Sequence, residues 1–294
     1  MFKSILVPTM GFSSDPAALE TALLVARHFG GHLDCIHVRP DPQQILVQAA
    51  GFDAGLGMGT QMVMGDLIDV LEKEDAKRTE QSRKVFEAFC MREKLQIAPT
   101  PPGPQHGATA AWLESTGREI DLLTGAARTH DLTVIAQMTA AGGLPRDSAG
   151  TMLIKSGRPL LLAHDRAPKS LGRRIAIAWK DTPEAARAVG AAMPFIEKAE
   201  HVIVISVAET EEETITSAEA LVENLRWHGA TAEVAYMAHP AGSIYDTIMR
   251  ATKDAGADLL VMGGYGHSRV SEYVFGGFTR HVLAGVPLPI FLVH

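Results

Sequence analysis

Short, continuously apolar runs alternate with longer amphipathic stretches along the chain, and the whole alternation occurs twice. The first round opens on Ser4-Ile5-Leu6-Val7-Pro8 and the second on Arg174-Ile175-Ala176-Ile177-Ala178-Trp179. A polar loop and an Ala-rich helical stretch follow in each. One helix runs from Pro16 to Phe29; the other begins at Asp181-Thr182-Pro183-Glu184, with Thr182 as N-cap and Pro183 at the first helical position. The next strands are Leu33 to Val38 and His201 to Val207, leading into amphipathic helices over Met62 to Glu93 and Glu213 to His228. Third strands fall at Ala108 to Glu114 and Thr231 to Met237. After a further helix come Asp131 to Ile135 and Asp258 to Met262, and the rounds close on Gly157 to His164 and Gly285 to His294. Strands that are apolar throughout, with helices between them, predict a parallel sheet covered on both faces.

The expected architecture is α/β: two tandem doubly wound domains, 1–166 and 171–294, joined at the polar stretch Asp165 to Gly172. A chain of 294 residues agrees with about two domains. The closing strands, Pro159 to His164 and Leu288 to His294, would each leave an unpaired sheet edge. Antiparallel pairing about a pseudo-two-fold axis would bury both edges, giving an intramolecular pseudo-dimer. The segment Gly51 to Met62, rich in Gly and Met, has no counterpart in the second round. It reads either as an insertion covering the sheet edge or, extended to Gly65, as a surface that adapts to a partner.

Composition narrows the classes. With 46% hydrophobic and 21% charged residues the chain is expected to fold. No apolar run is long enough for a membrane helix, and Met1 to Pro8 reads as a first strand rather than a signal peptide. Two cysteines, Cys35 and Cys90, make no disulfide framework, so a reducing cytoplasm is the expected location. Net charge is −7 and neither half has a basic excess, which argues against nucleic acid as partner.

Candidate chemistry concentrates where the fourth strand of the second round ends: Val261-Met262-Gly263-Gly264-Tyr265-Gly266-His267-Ser268-Arg269, then Gly276-Gly277-Phe278-Thr279-Arg280. Glycines at a strand's carboxyl end let backbone N–H groups approach phosphate without a Cβ in the way. Gly276 and Gly277 open the last helix, whose N-terminus favours an anion. There is no Gly-Lys-Ser/Thr, and the third glycine of a dinucleotide fingerprint would fall on Arg269.

Gly263, Gly266 and Gly276 resemble the Gly-x2-Gly-x9-Gly-(Ser/Thr) pattern of the universal stress protein family, and the order of elements is similar along both halves. The resemblance implies five-stranded, mostly parallel sheets paired through their last strands, and ATP bound in some members. Mg²⁺ would come only with the nucleotide. Triphosphate and ribose contacts would fall on Gly263, Tyr265, Gly266, Gly276, Gly277 and Thr279, and the adenine side on Val207, Ala178, Trp179 and Lys180. Two positions depart from the pattern: Gly277 stands where a hydroxyl residue is usual, and Lys180 where an acid is. The first half departs further. Aligned with Pro159 on Pro287, Gly276 and Gly277 fall on Ser148 and Ala149. Aligned from the preceding strand, Gly263 and Gly266 fall on Gln137 and Ala140, with two residues missing between the ends; Met10 takes the acidic position. The first half therefore reads as a non-binding copy.

No other residue set forms catalytic machinery. His28 and His32 are separated by the helix-ending Gly30-Gly31; Ser268 and Ser271 lack a nucleophile-elbow setting. No metal-ligand spacing occurs. The expected function is a stress-response regulatory or protective protein binding an adenine nucleotide in its second half. Two alternatives stay open: a weak ATP hydrolase or phosphotransferase using the same pocket, and a nucleotide-free module that recruits protein partners.

Overall fold

The computed structural model describes residues 1–41, 59–100, 107–137, 144–207, 211–237, 243–264, 282 and 287–294. The first half contains β1 (Ser4–Pro8), α1 (Asp15–Phe29), β2 (His32–Arg39), α2 (Gly59–Glu93), β3 (Gln96–Ile97) and β4 (Thr109–Thr116). It continues with α3 (Glu119–Ala127), β5 (Leu132–Ala136), α4 (Arg146–Ser156) and β6 (Leu160–Ala163). The second half contains β7 (Arg174–Trp179), α5 (Pro183–Ile196), β8 (His201–Val207), α6 (Glu211–Trp227), β9 (Ala232–Met237), α7 (Ile244–Asp254), β10 (Leu259–Gly263) and β11 (Ile290–Val293).

The strands form one sheet in the order β3-β4-β2-β1-β5-β6-β11-β10-β7-β8-β9. Every pairing is parallel except β6 with β11, which is antiparallel and joins the halves. At this seam Leu161 faces Phe291, flanked by Leu160–Leu292 and Leu162–Ile290, so the expected antiparallel joint is present. Two core clusters line the two faces. One gathers α1, the end of α2, α5 and α6 over both halves; the other gathers α3, α4 and α7. Continuously buried strands are the consequence of cover on both sides.

The internal repeat extends to the hydrogen bonds that start each half. Asp131 Oδ2 accepts the amides of Lys3 and Ser4; Asp258 accepts those of Gly172, Arg173 and Arg174, with the Ser170 hydroxyl. The returning amide of each Asp donates to Ser4 O and Arg174 O, which equates Ser4 with Arg174 and Asp131 with Asp258. One element was not expected: β3, two residues that pair with β4 beyond α2. Two residues are too few to carry a period. The segment read as a partner surface falls on residues 51–58, outside the described residues, and from Gly59 the chain is α2.

Candidate functional site

Strand order reverses between β7 and β10, since the chain runs through β8 and β9 to one side and returns to β10 and β11 on the other. In open α/β sheets ligands bind outside the carboxyl ends of the strands at such a reversal. Here β7 ends in Ala178 and Trp179 before Lys180, and β10 ends in Gly263 before Gly264, with Met262 in register with Ala178. Ala178, Trp179 and Val207 are partly exposed, and Lys180 is exposed. The Trp179 indole donates to Ser217 Oγ at 3.0 Å, which fixes the ring against α6.

Gly263 has a local reason to be glycine. A Cβ there would stand 2.7 Å from the Ala185 nitrogen and the Glu184 carbonyl carbon, so its absence lets the start of α5 close on β10. That start is the expected one: Thr182 Oγ1 accepts from the Ala185 amide at 3.3 Å and Pro183 opens the helix. Gly264 continues the ladder through its amide to Val293 O at 2.7 Å, and His294 Nδ1 donates to its carbonyl at 3.1 Å. Arg187 ties His294 O (3.1 Å) to Glu184 (2.9 Å). A Cβ on Gly264 would meet Leu153 of α4 at 2.8 Å, so the first half reaches the strand end as well. Gly263 thus stands with Ala178, Trp179, Lys180 and Val207 at the carboxyl ends of the neighbouring strands β10, β7 and β8. Tyr265, Gly266, Gly276, Gly277 and Thr279 lie outside the described residues, as do His267, Ser268, Ser271 and His281.

The matching reversal in the first half, between β1 and β5, is filled by the chain itself. Asp15 Oδ2 accepts the amides of Gly11 (2.7 Å) and Phe12 (3.2 Å). The Thr9 carbonyl accepts from His37 Nδ1 at 2.6 Å and from Ser82 Oγ at 3.0 Å, and His37 stacks on Trp112. Gly11, at φ +80°, lies under the Arg78 side chain, where a Cβ would come within 2.6 Å of Arg78 Cγ. Asp75, Arg78, Thr79 and Ser82 all come from α2. Sequence reading missed this plug, although the polar His37 interrupting an apolar strand was a visible signal. By register His37 corresponds to Ser206, whose buried Oγ has no hydrogen-bond partner among the described residues.

Pairing registers also correct the alignment of the halves. Thr133 N donates to Pro159 O as Leu260 N donates to Pro289 O, so Pro159 matches Pro289 rather than Pro287. Counted back from there, Gly276 and Gly277 fall on Arg146 and Asp147, not on Ser148 and Ala149. Counted forward from Asp131, Gly263 falls on Ala136 and Gly266 on Thr139, not on Gln137 and Ala140, and the first half is three residues shorter rather than two. Two prolines near the closing strand made the sequence match ambiguous; the backbone bonds remove the ambiguity. Asp147 in the first turn of α4 puts a carboxylate where a phosphate-binding helix start would need bare N–H groups.

Elsewhere, α1 ends at Phe29 with Gly30 in the left-handed conformation, separating His28 from His32. No group of three potential metal ligands occurs among the described residues. Cys35 and Cys90 are free and buried; burial pushes the Cys35 thiol well up and that of Cys90 to about 11, so both stay protonated and unreactive at neutral pH. No described helix is long and apolar enough to cross a membrane.

A doubly wound sheet with a glycine strand end at its reversal defines an α/β protein of the doubly wound class. The family model described as "Universal stress protein family" matches residues 172–294. Residues 172–294 therefore form a domain of the universal stress protein family. A universal stress protein of Synechocystis sp. is 22% identical over 299 residues, covering 98% of this chain and 98% of that protein. The fold is similar to that of a universal stress protein from Archaeoglobus fulgidus (TM-score 0.63, 16% identity, 99% of this chain and 96% of that one). A structure from Pseudomonas aeruginosa is also similar (TM-score 0.59, 16% identity, 99% and 93%).

Proposed function

We propose that the second half binds one adenine nucleotide, as ATP with Mg²⁺, in the crevice between β7 and β10, and that the protein serves a regulatory or protective role in a stress response. In this reading Gly266, Gly276, Gly277 and Thr279 supply N–H and hydroxyl donors to the phosphates and Tyr265 lies beside the ribose. Ala178, Trp179, Lys180 and Val207 flank the base. The observation that carries the reading is the contrast between the two reversals. The second offers a glycine strand end beside partly exposed Ala178 and Val207. The first has its backbone donors taken by Asp15 and its Thr9 carbonyl by His37 and Ser82. Titration calorimetry of the full chain with ATP and Mg²⁺ tests it. One site per chain is expected, weakened roughly a hundredfold by Gly266→Val or Gly276→Val if two phosphate contacts of about 1.5 kcal/mol each are lost. Two equivalent sites, or full affinity in both variants, overturns the assignment.

A further inference from the structure

The two halves supply an internal comparison for every position. Through the strand registers Asp34 corresponds to Ile203, and His130, which precedes Asp131, corresponds to Ala257, which precedes Asp258. Ile203 and Ala257 both pack against the apolar cluster on their face of the sheet. In the first half the same two places carry a charge pair. His130 Nε2 donates to Asp34 Oδ2 at 2.9 Å, and His130 Nδ1 donates to the Ala126 carbonyl of α3 at 2.7 Å. Neither acceptor has a proton to give back, so the geometry needs a ring protonated on both nitrogens. The other carboxylate oxygen, Asp34 Oδ1, accepts from His32 Nε2 at 3.2 Å, and His32 Nδ1 meets Thr109 Oγ1 at 2.7 Å. The three ionisable side chains are largely withdrawn from solvent, at 9% exposure for His130, 15% for His32 and 22% for Asp34.

Packed apolar residues in place of a buried ion pair are often neutral or stabilising, and the second half shows that this fold accepts them here. The strand-to-turn contact therefore does not require charge. We propose that Asp34, His32 and His130 form a proton-controlled clasp, closed while His130 is protonated, which ties the turn between α3 and β5 to the amino ends of β2 and β4. The groups facing His130 are Asp34 and, beyond it, His32 from β2, the Ala126 carbonyl of α3, the Thr129 hydroxyl of the turn that follows, and Asp131 just before β5. Thr109 of β4 reaches it only through His32.

Burial disfavours the imidazolium, but the hydrogen bonds to Asp34 and Ala126 and the charges of Asp34 and Asp131 outweigh it and raise His130 above its ordinary value. Burial likewise pushes the Asp34 carboxyl up, and the bonds and charges of His130 and His32 more than reverse that, holding it well below the usual carboxylate range. The contribution of a raised histidine is complete below its unfolded pKa of about 6.5 and is lost as pH rises through the folded value. The contribution of a depressed carboxyl is lost only in strong acid. The clasp thus holds from acid to neutral pH and releases on the alkaline side. There a neutral ring must turn a lone pair towards either Ala126 O or Asp34.

Proton NMR titration of the full chain tests this, with the His130 ring signal assigned by its absence in His130→Gln. A midpoint above 6.5 in the wild type is expected, moving down in Asp34→Asn, where burial is opposed only by the Ala126 carbonyl and the Asp131 charge. A wild-type midpoint at or below 6.5, or no change in Asp34→Asn, overturns the proposal. Urea unfolding between pH 6 and 9 gives a second reading. Relative to the double variant Asp34→Ile/His130→Ala, which copies the second half, the wild-type unfolding constant should rise by up to about tenfold per pH unit above 6.5. Parallel profiles would overturn the clasp, and the wild-type titration decides the matter even where the double variant does not fold.

Discussion

At the scale of single residues, glycines divide into those that the fold requires and those that it tolerates. Gly263 is required, because a Cβ would enter the backbone of Glu184 and Ala185. Gly263→Ala should destabilise by about 1–3 kcal/mol, as forced overpacking does. Gly190, exposed in the interior of α5 with nothing within 4 Å of its Cβ position, should gain about 1 kcal/mol on replacement by Ala. Denaturant midpoints of the two variants check both signs. From sequence the glycine pattern pointed to a phosphate cradle, and the packing role of Gly263 was hidden because α5 is far from it along the chain. Asp15 was equally illegible as an ionisable group. Burial pushes its carboxyl up to about 6 against the opposing amide bonds of Gly11, Phe12 and Met10. A carboxyl raised in the folded state contributes stability below its unfolded pKa, about 4, and loses it as pH rises through about 6. Asp15→Asn keeps an accepting oxygen and removes the charge, so its stability should fall less than that of the wild type between pH 4 and 7. The difference at pH 7 should reach about 3 kcal/mol, two units of pKa at about 1.4 kcal/mol each, measured by urea unfolding at each pH.

At the scale of elements, most of the fold was legible because strand and helix signals are local. The apolar runs at Ser4, Leu33, Leu132, Arg174, His201 and Asp258 each became a strand within a residue or two, and Thr182-Pro183 marked the start of α5. The cap should show its usual weight. Thr182→Ala removes the acceptor for the Ala185 amide and should cost about 1 kcal/mol, read as a shift in the unfolding midpoint. What stayed hidden depends on partners distant in sequence. The plug over β1 comes from α2, and Asp34 meets His130 across the sheet's amino edge. The equivalence of Pro159 with Pro289 rests on which carbonyl takes the amides of Thr133 and Leu260. Such facts belong to pairing, which no single-segment pattern encodes. β3 escaped for the opposite reason: with Gln96 and Ile97 exposed, it has almost no burial to imprint a pattern.

At the scale of the whole molecule, the seam between the halves is packed on both faces of the sheet. On one face Phe2 and Phe29 of the first half meet Phe195 of the second, with ring centroids 5.2 and 5.0 Å apart, and Phe2 lies 5.8 Å from Phe291. Lys198 adds a bond to the His28 carbonyl at 3.2 Å and sits over the Phe29 ring. On the other face Met152 and Leu153 share a cluster with Ile290 and Leu292. Cutting the chain would uncover Leu160, Leu161 and Leu162 on one edge and Ile290, Phe291 and Leu292 on the other, all of them buried in the intact protein. Either half alone would then present an apolar strand edge with free N–H and C=O groups, which invites pairing with another copy. Sedimentation of residues 1–166 and 171–294 should show association or aggregation, whereas the full chain should be able to sediment as a compact monomer. Monomeric, well-behaved halves would count against it. The same seam couples the halves in unfolding. Phe195 is wholly buried and touches aromatic rings of both halves, so Phe195→Ala should cost about 3–5 kcal/mol. That loss should appear in a single transition, with Trp112 fluorescence in one half and Trp179 fluorescence in the other, each read with the remaining tryptophans replaced, moving together. Two separated transitions would show instead that the seam adds no cooperativity between the copies.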